Sequence, residues 1–313
     1  MNSAEQYDCV VIGGGPAGIT AAMYMFRSGV RVALVEKLAL GGQLLLTGQV
    51  ENYPGFPNGI TGYELAENFV LHMKHYAAKQ YFGEVTAIER PLDVKEPIRL
   101  RIEDEWIAAF TVIICTGAAH RRLGLPKEEA MTGRGVSYCA ICDANFFRAQ
   151  EVGLVGGGNS ALEEALFLAN VVERVYLIHR RDKFRALKIY QDKVISHPKI
   201  SIIYDSEVRE LLGEKDLDGV RIVNVRSNES STLDVKGLFI FVGIDPKGDF
   251  FPAGLKVDEL GFVETDPDMR TSLPGVFAAG DIRSKNCRQL ATSVGDGAVA
   301  ATAAFSYLEK MNG

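Results

Sequence analysis

Short apolar runs that alternate with glycine-rich turns and amphipathic stretches dominate the pattern of the chain. Near the N-terminus, an apolar run at 7–12 leads into a glycine-rich turn at 13–18, a helical stretch to residue 27 and an apolar run at 30–35 that ends at Glu36. Runs of this length, rich in Val and Ile and bounded by Gly, predict buried strands. The order strand, turn, helix and strand predicts a βαβ unit with parallel strands.

The same order of elements occurs a second time in the middle of the chain. An apolar run at 152–155 leads into a glycine-rich turn at 156–161, a helical stretch to residue 170 and an apolar run at 175–178 that ends at His179. In both copies the residue that closes the second strand follows the last turn residue by 18 positions, from 18 to 36 and from 161 to 179. A repeat in register is stronger evidence than one motif. The sequence therefore predicts an α/β protein with two Rossmann-like domains.

Glycines in both turns allow backbone N–H groups to approach a pyrophosphate at a helix N-terminus. Two copies therefore predict two dinucleotide sites, although glycine-rich turns without a ligand also occur in doubly wound α/β proteins. The candidate contacts are Gly13, Gly15, Pro16, Ala17 and Gly18 in the first turn, and Gly156, Gly158, Asn159, Ser160 and Ala161 in the second.

The residue that ends the second strand distinguishes the two ligands. A carboxylate such as Glu36 accepts hydrogen bonds from a free ribose hydroxyl and repels a 2′-phosphate, so the first copy predicts an FAD site. In the second copy His179 replaces the acid. It is followed by Arg180, Arg181 and Arg185, whose guanidinium groups suit a phosphate and favour NADPH over NADH. A solvated basic face is the alternative explanation of this charge run.

Glycine-containing segments follow two further strands and mark where the chain passes between domains. Thr116 and Gly117 follow the strand at 111–115, and residues 243–246 follow the strand at 238–242. We therefore expect residues 1–116 and 246–313 to form one discontinuous domain. Residues 117–245 are expected to form a second domain that is inserted into the first. Two thin connections of this kind would allow hinge motion between rigid domains.

Composition narrows the class of protein. The chain has 313 residues, of which 47% are hydrophobic, and this length suits about two globular domains. A net charge of −6 argues against a nucleic-acid partner. Glycine and proline interrupt the apolar run 9–26, so we expect no signal peptide, no membrane span and a cytoplasmic location. The five cysteines and five histidines are scattered except for one pair, so no metal site is expected.

That pair, Cys139 and Cys142, lies just before the second dinucleotide fold. The C-x-x-C spacing suits a short reversible disulfide, and thiols in such motifs often have a lowered pKa. Asp143 follows directly and could give a proton to a departing thiolate and take it back. The alternatives are an inert buried cysteine pair and, for Asp143, a helix cap or a solvated acid.

Taken together, these motifs resemble the low-molecular-weight thioredoxin reductases over essentially the whole chain. The combination is highly specific because eight separate segments match in order. The matching segments are residues 13–18, 41–44 (Gly-Gly-Gln-Leu), 51–55 (Glu-Asn-Tyr-Pro-Gly), 139–143, 156–161, 179–186, 280–281 and 287–289.

The resemblance implies roles for individual residues. Cys142 would face the flavin, Cys139 would attack the disulfide of a partner protein, and Asp143 would be the acid beside them. Glu36 and Asp281 would contact the adenosine ribose and the central polar part of FAD. The other FAD contacts that the resemblance implies are Gly42, Gln43, Leu44, Asn52, Thr116, Gly117, Gly280, Arg288, Gln289 and Leu290.

The resemblance also implies an activity. Electrons would pass from NADPH to FAD, then to the Cys139–Cys142 disulfide and then to a thioredoxin-like protein, in a homodimer whose inserted domain swings between two positions. A dithiol oxidase of the same architecture is an alternative, which the arginine cluster disfavours because an oxidase needs no NADPH. A flavoprotein that senses nucleotides without turnover is another, which the intact Cys-x-x-Cys-Asp sequence disfavours.

Residues near the cysteine pair are candidates for the surface that binds the partner protein. We expect Arg134 and the aromatic pair Phe146 and Phe147 to contact the partner protein, since arginine and aromatic residues are common interface anchors. The alternative is that both phenylalanines belong to the core. Ala144 departs from the glycine that the family commonly has after the acid, and residues 244–248 lack its usual Pro-Asn-Thr sequence, so partner preference and hinge contacts are open.

Overall fold

A computed structural model describes residues 5–47, 49–76, 78–246 and 248–312. The chain forms two compact units. Unit 1 comprises Met1–Gly48, Tyr53–Ala119 and Asp245–Gly313, and unit 2 comprises Gln49–Asn52 and His120–Ile244.

Strands and helices alternate in the two βαβ regions, and runs of consecutive strands follow α2 and α6. In chain order the strands are β1 (Glu5–Ile12), β2 (Val32–Glu36), β3 (Gln49–Val50), β4 (Ile60–Thr61), β5 (Lys79–Phe82), β6 (Val85–Glu89), β7 (Ile98–Ile102), β8 (Glu105–Ile114), β9 (Ala118–His120), β10 (Val136–Ser137), β11 (Glu151–Gly156), β12 (Arg174–Ile178), β13 (Ile200–Ile203), β14 (Ser206–Leu212), β15 (Gly219–Asn224), β16 (Ser230–Leu233), β17 (Gly237–Phe241), β18 (Ile244–Pro246) and β19 (Val276–Ala278). The α-helices are α1 (Pro16–Arg27), α2 (Gly62–Lys74), α3 (Glu128–Met131), α4 (Ala140–Asp143), α5 (Asn159–Ala169), α6 (Lys188–Ile195) and α7 (Leu290–Asn312), and 3₁₀ turns occupy Gly42–Leu46, Ala144–Phe147 and Gly280–Ile282.

The main sheet of unit 1 has the strand order β5-β2-β1-β8-β7-β6, and β19 also pairs with β8. Strand β1 lies parallel to β2 and β8, and Val10 is opposite Ala33 on one side and Val112 on the other. Strands β6 and β7 continue the sheet in antiparallel fashion. Residues 9–12 of β1 are buried because helices or loops cover both faces of a parallel sheet.

Helices α1 and α7 pack against each other on one face of this sheet. Both helices contribute small buried residues to one core cluster, among them Ala21 and Ala22 of α1 and Ala301 and Ala304 of α7. The small residues let the backbones of α1 and α7 approach closely over the β1–β8 core.

Helix α2 begins with a capping box, in which the Thr61 side chain accepts from the Glu64 N–H and the Glu64 carboxylate accepts from the Thr61 N–H.

The main sheet of unit 2 is fully parallel, with the strand order β10-β17-β11-β12-β13. Val155 of β11 is opposite Ile178 of β12 and Ile240 of β17. A separate antiparallel sheet, β14-β15-β16, lies between β13 and β17 in the chain. Helix α5 buries Leu162 and Leu168 against the parallel sheet.

Both predicted βαβ units are present, as β1-α1-β2 in unit 1 and β11-α5-β12 in unit 2. The prediction of an α/β protein with two Rossmann-like folds is therefore confirmed. No helix within the described ranges combines the length and apolar character that a membrane crossing requires. Among the same residues, no cluster of three His, Cys, Asp or Glu side chains could hold a metal ion.

Candidate active site

Steric crowding fixes the first glycine-rich turn. Gly13 has φ +105°, and a Cβ atom there would lie 2.4 Å from the carbonyl oxygen of Cys115. A Cβ at Gly18 would lie 1.7 Å from the carbonyl oxygen of Gly13. Gly15 is different: it precedes α1 with φ −77°, and a Cβ there would meet no atom within 4 Å. Neighbouring atoms therefore crowd the turn at Gly13 and Gly18, whereas open space lies beside Gly15, the N-cap residue of α1.

Glu36 ends β2 and lies beside this turn. Its Oε2 accepts a hydrogen bond from the Gly14 N–H at 2.6 Å, and its Oε1 accepts one from the Leu38 N–H at 2.9 Å. Backbone donors thus hold the carboxylate in one orientation. Each of its oxygens retains a further lone pair that can accept from a ligand hydroxyl.

The turn at Gly42–Leu46 packs against the first glycine-rich turn. Gly42 has φ +57°, and a Cβ there would lie 3.0 Å from the Cα of Gly15. The Gln43 side chain donates to the carbonyl oxygen of Ala118, and Leu44 is buried. Gly117, which follows Thr116 after β8, has φ +67° and open space around it. Unit 1 therefore brings together most of the predicted FAD positions, whereas Asn52 lies in the Gln49–Asn52 segment of unit 2.

A buried ionic cluster supports the Gly280–Ile282 turn, and the sequence did not predict it. Asp296 of α7 pairs with Arg283 at 2.9 Å and with Lys285 at 3.0 Å, and all three side chains are about nine-tenths buried. Asp296 also accepts from the Gly280 N–H at 3.1 Å. The cluster therefore fixes the start of α7 relative to this turn.

Asp281 lies at the edge of that cluster. Its Oδ1 accepts from the Ser293 hydroxyl at 3.2 Å and lies 3.4 Å from the Lys285 ammonium group. Arg288 donates to the backbone carbonyls of Asp281 and Arg283 and lies over the Phe262 ring at 4.0 Å. Burial lowers the pKa of Arg288. Gln289 and Leu290 follow at the start of α7.

The second glycine-rich turn has the same plan as the first. A Cβ at Gly156 would lie 2.5 Å from the Cβ of Ala161, and a Cβ at Gly157 would lie 2.2 Å from the His179 ring. Gly158 precedes α5, and a Cβ there would meet no atom within 4 Å. Asn159 accepts from the Leu187 N–H at 2.8 Å, and the neighbouring Ser160 is exposed. This turn is also packed inside and open at its third glycine.

His179 organises the loop that follows β12. Its ring is buried, and Nε2 donates to the Lys183 carbonyl at 3.0 Å. Burial lowers the pKa of His179, which favours the neutral ring. The Arg185 N–H donates to the carbonyl of Gly157 at 2.9 Å. These bonds close the loop onto the glycine turn.

The loop presents its cations to a cavity of about 280 Å³. Arg180, Arg181 and Arg185 are exposed and line this cavity, so the three predicted arginines do lie together. The cavity is also lined by Asp205 and by Arg226, which the sequence did not single out. Their positions far along the chain gave no spacing signal that could have found them.

Cys139 and Cys142 form a disulfide, with Cα atoms 5.3 Å apart. Cys139 is the N-cap of α4, and its Sγ accepts from the Cys142 N–H at 3.2 Å. The short helix therefore brings the two sulfur atoms together. Of the other cysteines, Cys9 and Cys115 are buried and Cys287 is exposed.

Asp143, at the end of α4, is largely buried. Burial raises the pKa of its carboxyl group, a hydrogen bond from the Ser137 hydroxyl at 2.6 Å lowers it, and the charge of Glu51 raises it. The net direction is upward, so the carboxyl group holds a proton closer to neutral pH than an exposed aspartate does. Ser137 also accepts from the Cys139 N–H at 3.1 Å, and this bridging role had no sequence signal.

The aromatic pair after the cysteines is divided between surface and core. The side chain of Phe146 is exposed, whereas Phe147 packs edge-on against Phe239 with ring centroids 5.5 Å apart. The alternative that both phenylalanines belong to the core is therefore wrong for Phe146. Arg134 is exposed.

Comparison with known proteins places the chain in a family. A family model described as pyridine nucleotide-disulphide oxidoreductase matches residues 7–297. A thioredoxin reductase of Listeria innocua is 41% identical in an alignment of 313 positions that covers 99% of this chain and 97% of that relative. The crystal structure of thioredoxin reductase from Streptococcus pyogenes is 43% identical, with a TM-score of 0.93 over 98% of this chain and 100% of that one. The corresponding structure from Giardia duodenalis is 36% identical, with a TM-score of 0.91 over 97% and 99% of the two chains. The chain therefore belongs to the pyridine nucleotide-disulphide oxidoreductase family and, within it, to the thioredoxin reductases.

Proposed function

We propose that this protein is an FAD-containing, NADPH-dependent thioredoxin-disulfide reductase. The observation that carries the proposal is the Cys139–Cys142 disulfide, which is followed in the chain by Asp143, whose carboxyl group has a raised pKa. The same chain also has two glycine-rich turns that suit dinucleotides. The names of the relatives support thioredoxin, or a thioredoxin-like protein, as the substrate. A homodimer is the expectation for the family that the sequence resembles, and a cytoplasmic location is favoured by the glycine and proline that interrupt the apolar run 9–26.

The residues of unit 1 fit FAD. The open side of Gly15 at the N-terminus of α1 leaves room for a pyrophosphate, and Glu36 offers oriented acceptors for ribose hydroxyls. Asp281 and the α7 start at Gln289 and Leu290 would hold the central and flavin parts. When bound, FAD supplies a two-electron carrier between the nicotinamide and the disulfide.

Unit 2 fits NADPH. Its second turn is open at Gly158 for the pyrophosphate, while Arg180, Arg181 and Arg185 present guanidinium groups for the 2′-phosphate. Because these residues and the cavity lie beside the end of β12, the cations stand where the adenosine ribose of a Rossmann-bound coenzyme is expected.

The two cysteines perform the second half of the reaction, in which electrons pass to the disulfide of the partner protein. Two electrons and two protons convert the Cys139–Cys142 disulfide to a dithiol, and Asp143 can supply one of these protons. Cys139 as a thiolate then attacks one sulfur of the partner disulfide, forming a mixed disulfide and releasing the other sulfur as a thiol. Cys142 attacks Cys139 in turn, which restores the internal disulfide and releases the reduced partner. Asp143 accepts a proton from the attacking thiol and returns it to a departing sulfur.

Replacement of either cysteine tests the assignment. We expect Cys139→Ser and Cys142→Ser to abolish thioredoxin reduction, because neither can form the internal disulfide. Both variants should retain bound FAD that NADPH bleaches under anaerobic conditions, since the flavin lies before the thiols in the path. Cys287→Ser, which removes an exposed thiol outside the pair, should keep full turnover. Retained turnover in both pair variants would overturn the mechanism.

A dithiol oxidase of the same architecture is the second candidate. It would use the same disulfide and flavin but would pass electrons from a dithiol substrate to oxygen. The cationic cavity of unit 2 favours the reductase, because an oxidase has no use for a 2′-phosphate site. Flavin bleaching by NADPH at a rate that supports turnover separates the two, and bleaching only by dithiols would establish the oxidase.

A further inference from the structure

Arg226 lies in the turn that joins β15 to β16, and hydrogen bonds fix the backbone of this turn. The Arg226 N–H donates to the Asn224 side chain at 2.9 Å, and the Val225 N–H donates to the Asp205 carbonyl at 2.7 Å. Asp205 in turn donates its N–H to the carbonyl of Arg181 at 3.2 Å. The hairpin turn is therefore anchored to the loop that carries the arginine cluster.

The side chain of Arg226 bridges two carboxylates. Its guanidinium lies 2.9 Å from Asp182 and 3.0 Å from Asp205, and all three residues line the cavity of unit 2. The ion pair lowers the pKa of Asp182, so this carboxylate is charged at neutral pH. Asp182 follows Arg180 and Arg181 directly in the chain.

These two carboxylates oppose what the arginines do. A phosphate dianion in the cavity would be repelled by Asp182 and Asp205, which line it together with the arginines that attract the phosphate. With Arg226 counted, the three groups carry a net charge of −1, from two carboxylates and one guanidinium. Without it the net charge is −2. The charge of Arg226 therefore determines how far the two carboxylates weaken the attraction between the arginine cluster and a phosphate.

We propose that Arg226 is a specificity-determining residue for coenzymes with a 2′-phosphate, and that it acts by neutralising Asp182 rather than by binding the phosphate itself. This inference rests on the proposed function, in which the cavity receives the adenosine 2′-phosphate of NADPH. Arg226 lies in the turn between β15 and β16, whereas the arginine cluster that it supports follows β12 of the parallel sheet.

Binding of small nucleotides to the full-length protein tests the inference without turnover. Adenosine 2′,5′-bisphosphate carries the phosphate in question and adenosine 5′-monophosphate lacks it, and isothermal titration at low ionic strength measures both. We expect Arg226→Gln to weaken bisphosphate binding by roughly twofold to fivefold, the scale of an exposed ion pair, and to leave the monophosphate unchanged. Asp182→Asn should strengthen bisphosphate binding by a similar factor.

The double variant Asp182→Asn/Arg226→Gln is the decisive measurement. Its three groups again sum to −1, so bisphosphate binding should return to the level of the unmodified protein. If Arg226→Gln weakens bisphosphate binding by roughly tenfold or more in the Asp182→Asn background, the loss has the size of a charge-assisted contact, so Arg226 contacts the phosphate directly and the proposal is wrong. No effect of Arg226→Gln in either background would overturn it as well.

Two controls separate the possible causes of failure. Arg221→Gln removes an exposed arginine of β15 that pairs with Glu210 at 2.8 Å and does not line the cavity, so it should change neither affinity. A variant with both Arg180 and Arg181 replaced by Gln tests the site itself. If that variant also leaves bisphosphate binding unchanged, the coenzyme assignment is wrong. If it weakens binding while Arg226→Gln does not, only the role of Arg226 is wrong.

Discussion

The two glycine-rich turns are both crowded at the first glycine and open at the third, yet the residue that closes the second strand differs between them in charge and in role. In unit 1, both carboxylate oxygens of Glu36 accept from backbone N–H groups, one of them at Gly14 inside the turn. In unit 2, the neutral ring of His179 packs under Gly157 and donates to the carbonyl of Lys183. The acid places a negative charge beside its turn, whereas the imidazole holds in place a loop of positive charges. In unit 1 the closing residue itself carries the charge, whereas in unit 2 the arginines carry it and the closing residue holds their loop.

The helices that follow the two turns also differ at one equivalent place. Gly13 and Gly156 begin the two turns, and eight positions later the first helix has Ala21 and the second has Glu164. Ala21 is fully buried in a core cluster that also contains residues of α7. Glu164 is partly buried, and its Oε2 has no hydrogen-bond partner. The second copy therefore carries an uncompensated carboxyl group where the first has a methyl group.

The largest effect is the loss of FAD that we expect from a substitution at Gly15, the open glycine of the first turn, and the matched substitution at Gly158 should affect NADPH only. Gly15→Ala should fold normally, since φ is −77° and the added Cβ meets no atom, but it should lose most of its FAD because the methyl group occupies the pyrophosphate position. Gly158→Ala should keep FAD and bind NADPH less tightly by about 1–3 kcal/mol, the scale of an imposed steric overlap. Flavin absorbance per chain, circular dichroism and the KM for NADPH measure these outcomes.

The matched pair is its own control. If Gly15→Ala retained FAD, or if Gly158→Ala lost it, the assignment of the two turns to their ligands would have to be reversed or abandoned. Loss of helical signal in either variant would mean that the turn, rather than its ligand, had been disturbed.

A smaller effect is expected from the arginines that distinguish the second copy. Replacing Arg180 and Arg181 together by Gln should raise the KM for NADPH by roughly tenfold to a hundredfold, since a charge-assisted phosphate contact contributes about 1.5–3 kcal/mol. The KM for NADH should hardly change. Steady-state kinetics with both coenzymes measure the ratio, and Arg209→Gln, an exposed arginine that does not line the cavity, is the control. An equal loss for both coenzymes would show that the arginines support the loop rather than select the phosphate.

The smallest effect concerns Glu164. Burial raises its pKa to about 7, whereas an unfolded chain has the ordinary value near 4.5. Between these values the folded state binds more protons than the unfolded state, so this group destabilises the fold as the pH rises from 4.5 to 7. Glu164→Ala, which copies Ala21 of the first helix, should raise the free energy of unfolding by about 1–2 kcal/mol at pH 8 after allowance for solvent screening.

Thermal unfolding of this variant at pH 5 and pH 8 measures the difference. The gain should shrink toward pH 5, where the carboxyl group is protonated in the folded state. A gain of the same size at both pH values would point to helix propensity as the cause. Glu173→Ala, at an exposed position after the same helix, should show no gain that depends on pH.

The comparison also shows which features a sequence reveals. Both βαβ units, the cysteine pair and the loop of arginines were predicted because each lies within a short stretch whose spacing carries the signal. Asp296 with Arg283 and Lys285, Ser137 beneath Asp143, and Arg226 beside the arginines were missed. Each of these contacts joins a side chain to a segment that the fold brings near, and no local period marks it. The hydrogen bond that orients a side chain of the candidate site is thus harder to predict than the side chain itself.

The discontinuity of unit 1 also bears on how the protein is made. Strand β19 completes the sheet beside β8, and α7 covers α1, but both lie after the whole of unit 2 in the chain. A ribosome therefore releases every residue of unit 2 before the last strand and helix of unit 1 exist. During that interval the apolar side of α1 and part of the β8 edge remain uncovered, a state prone to aggregation. Residues 276–312 therefore complete unit 1 last. Until they are synthesised, molecular chaperones would have to protect the exposed apolar surface of the nascent chain.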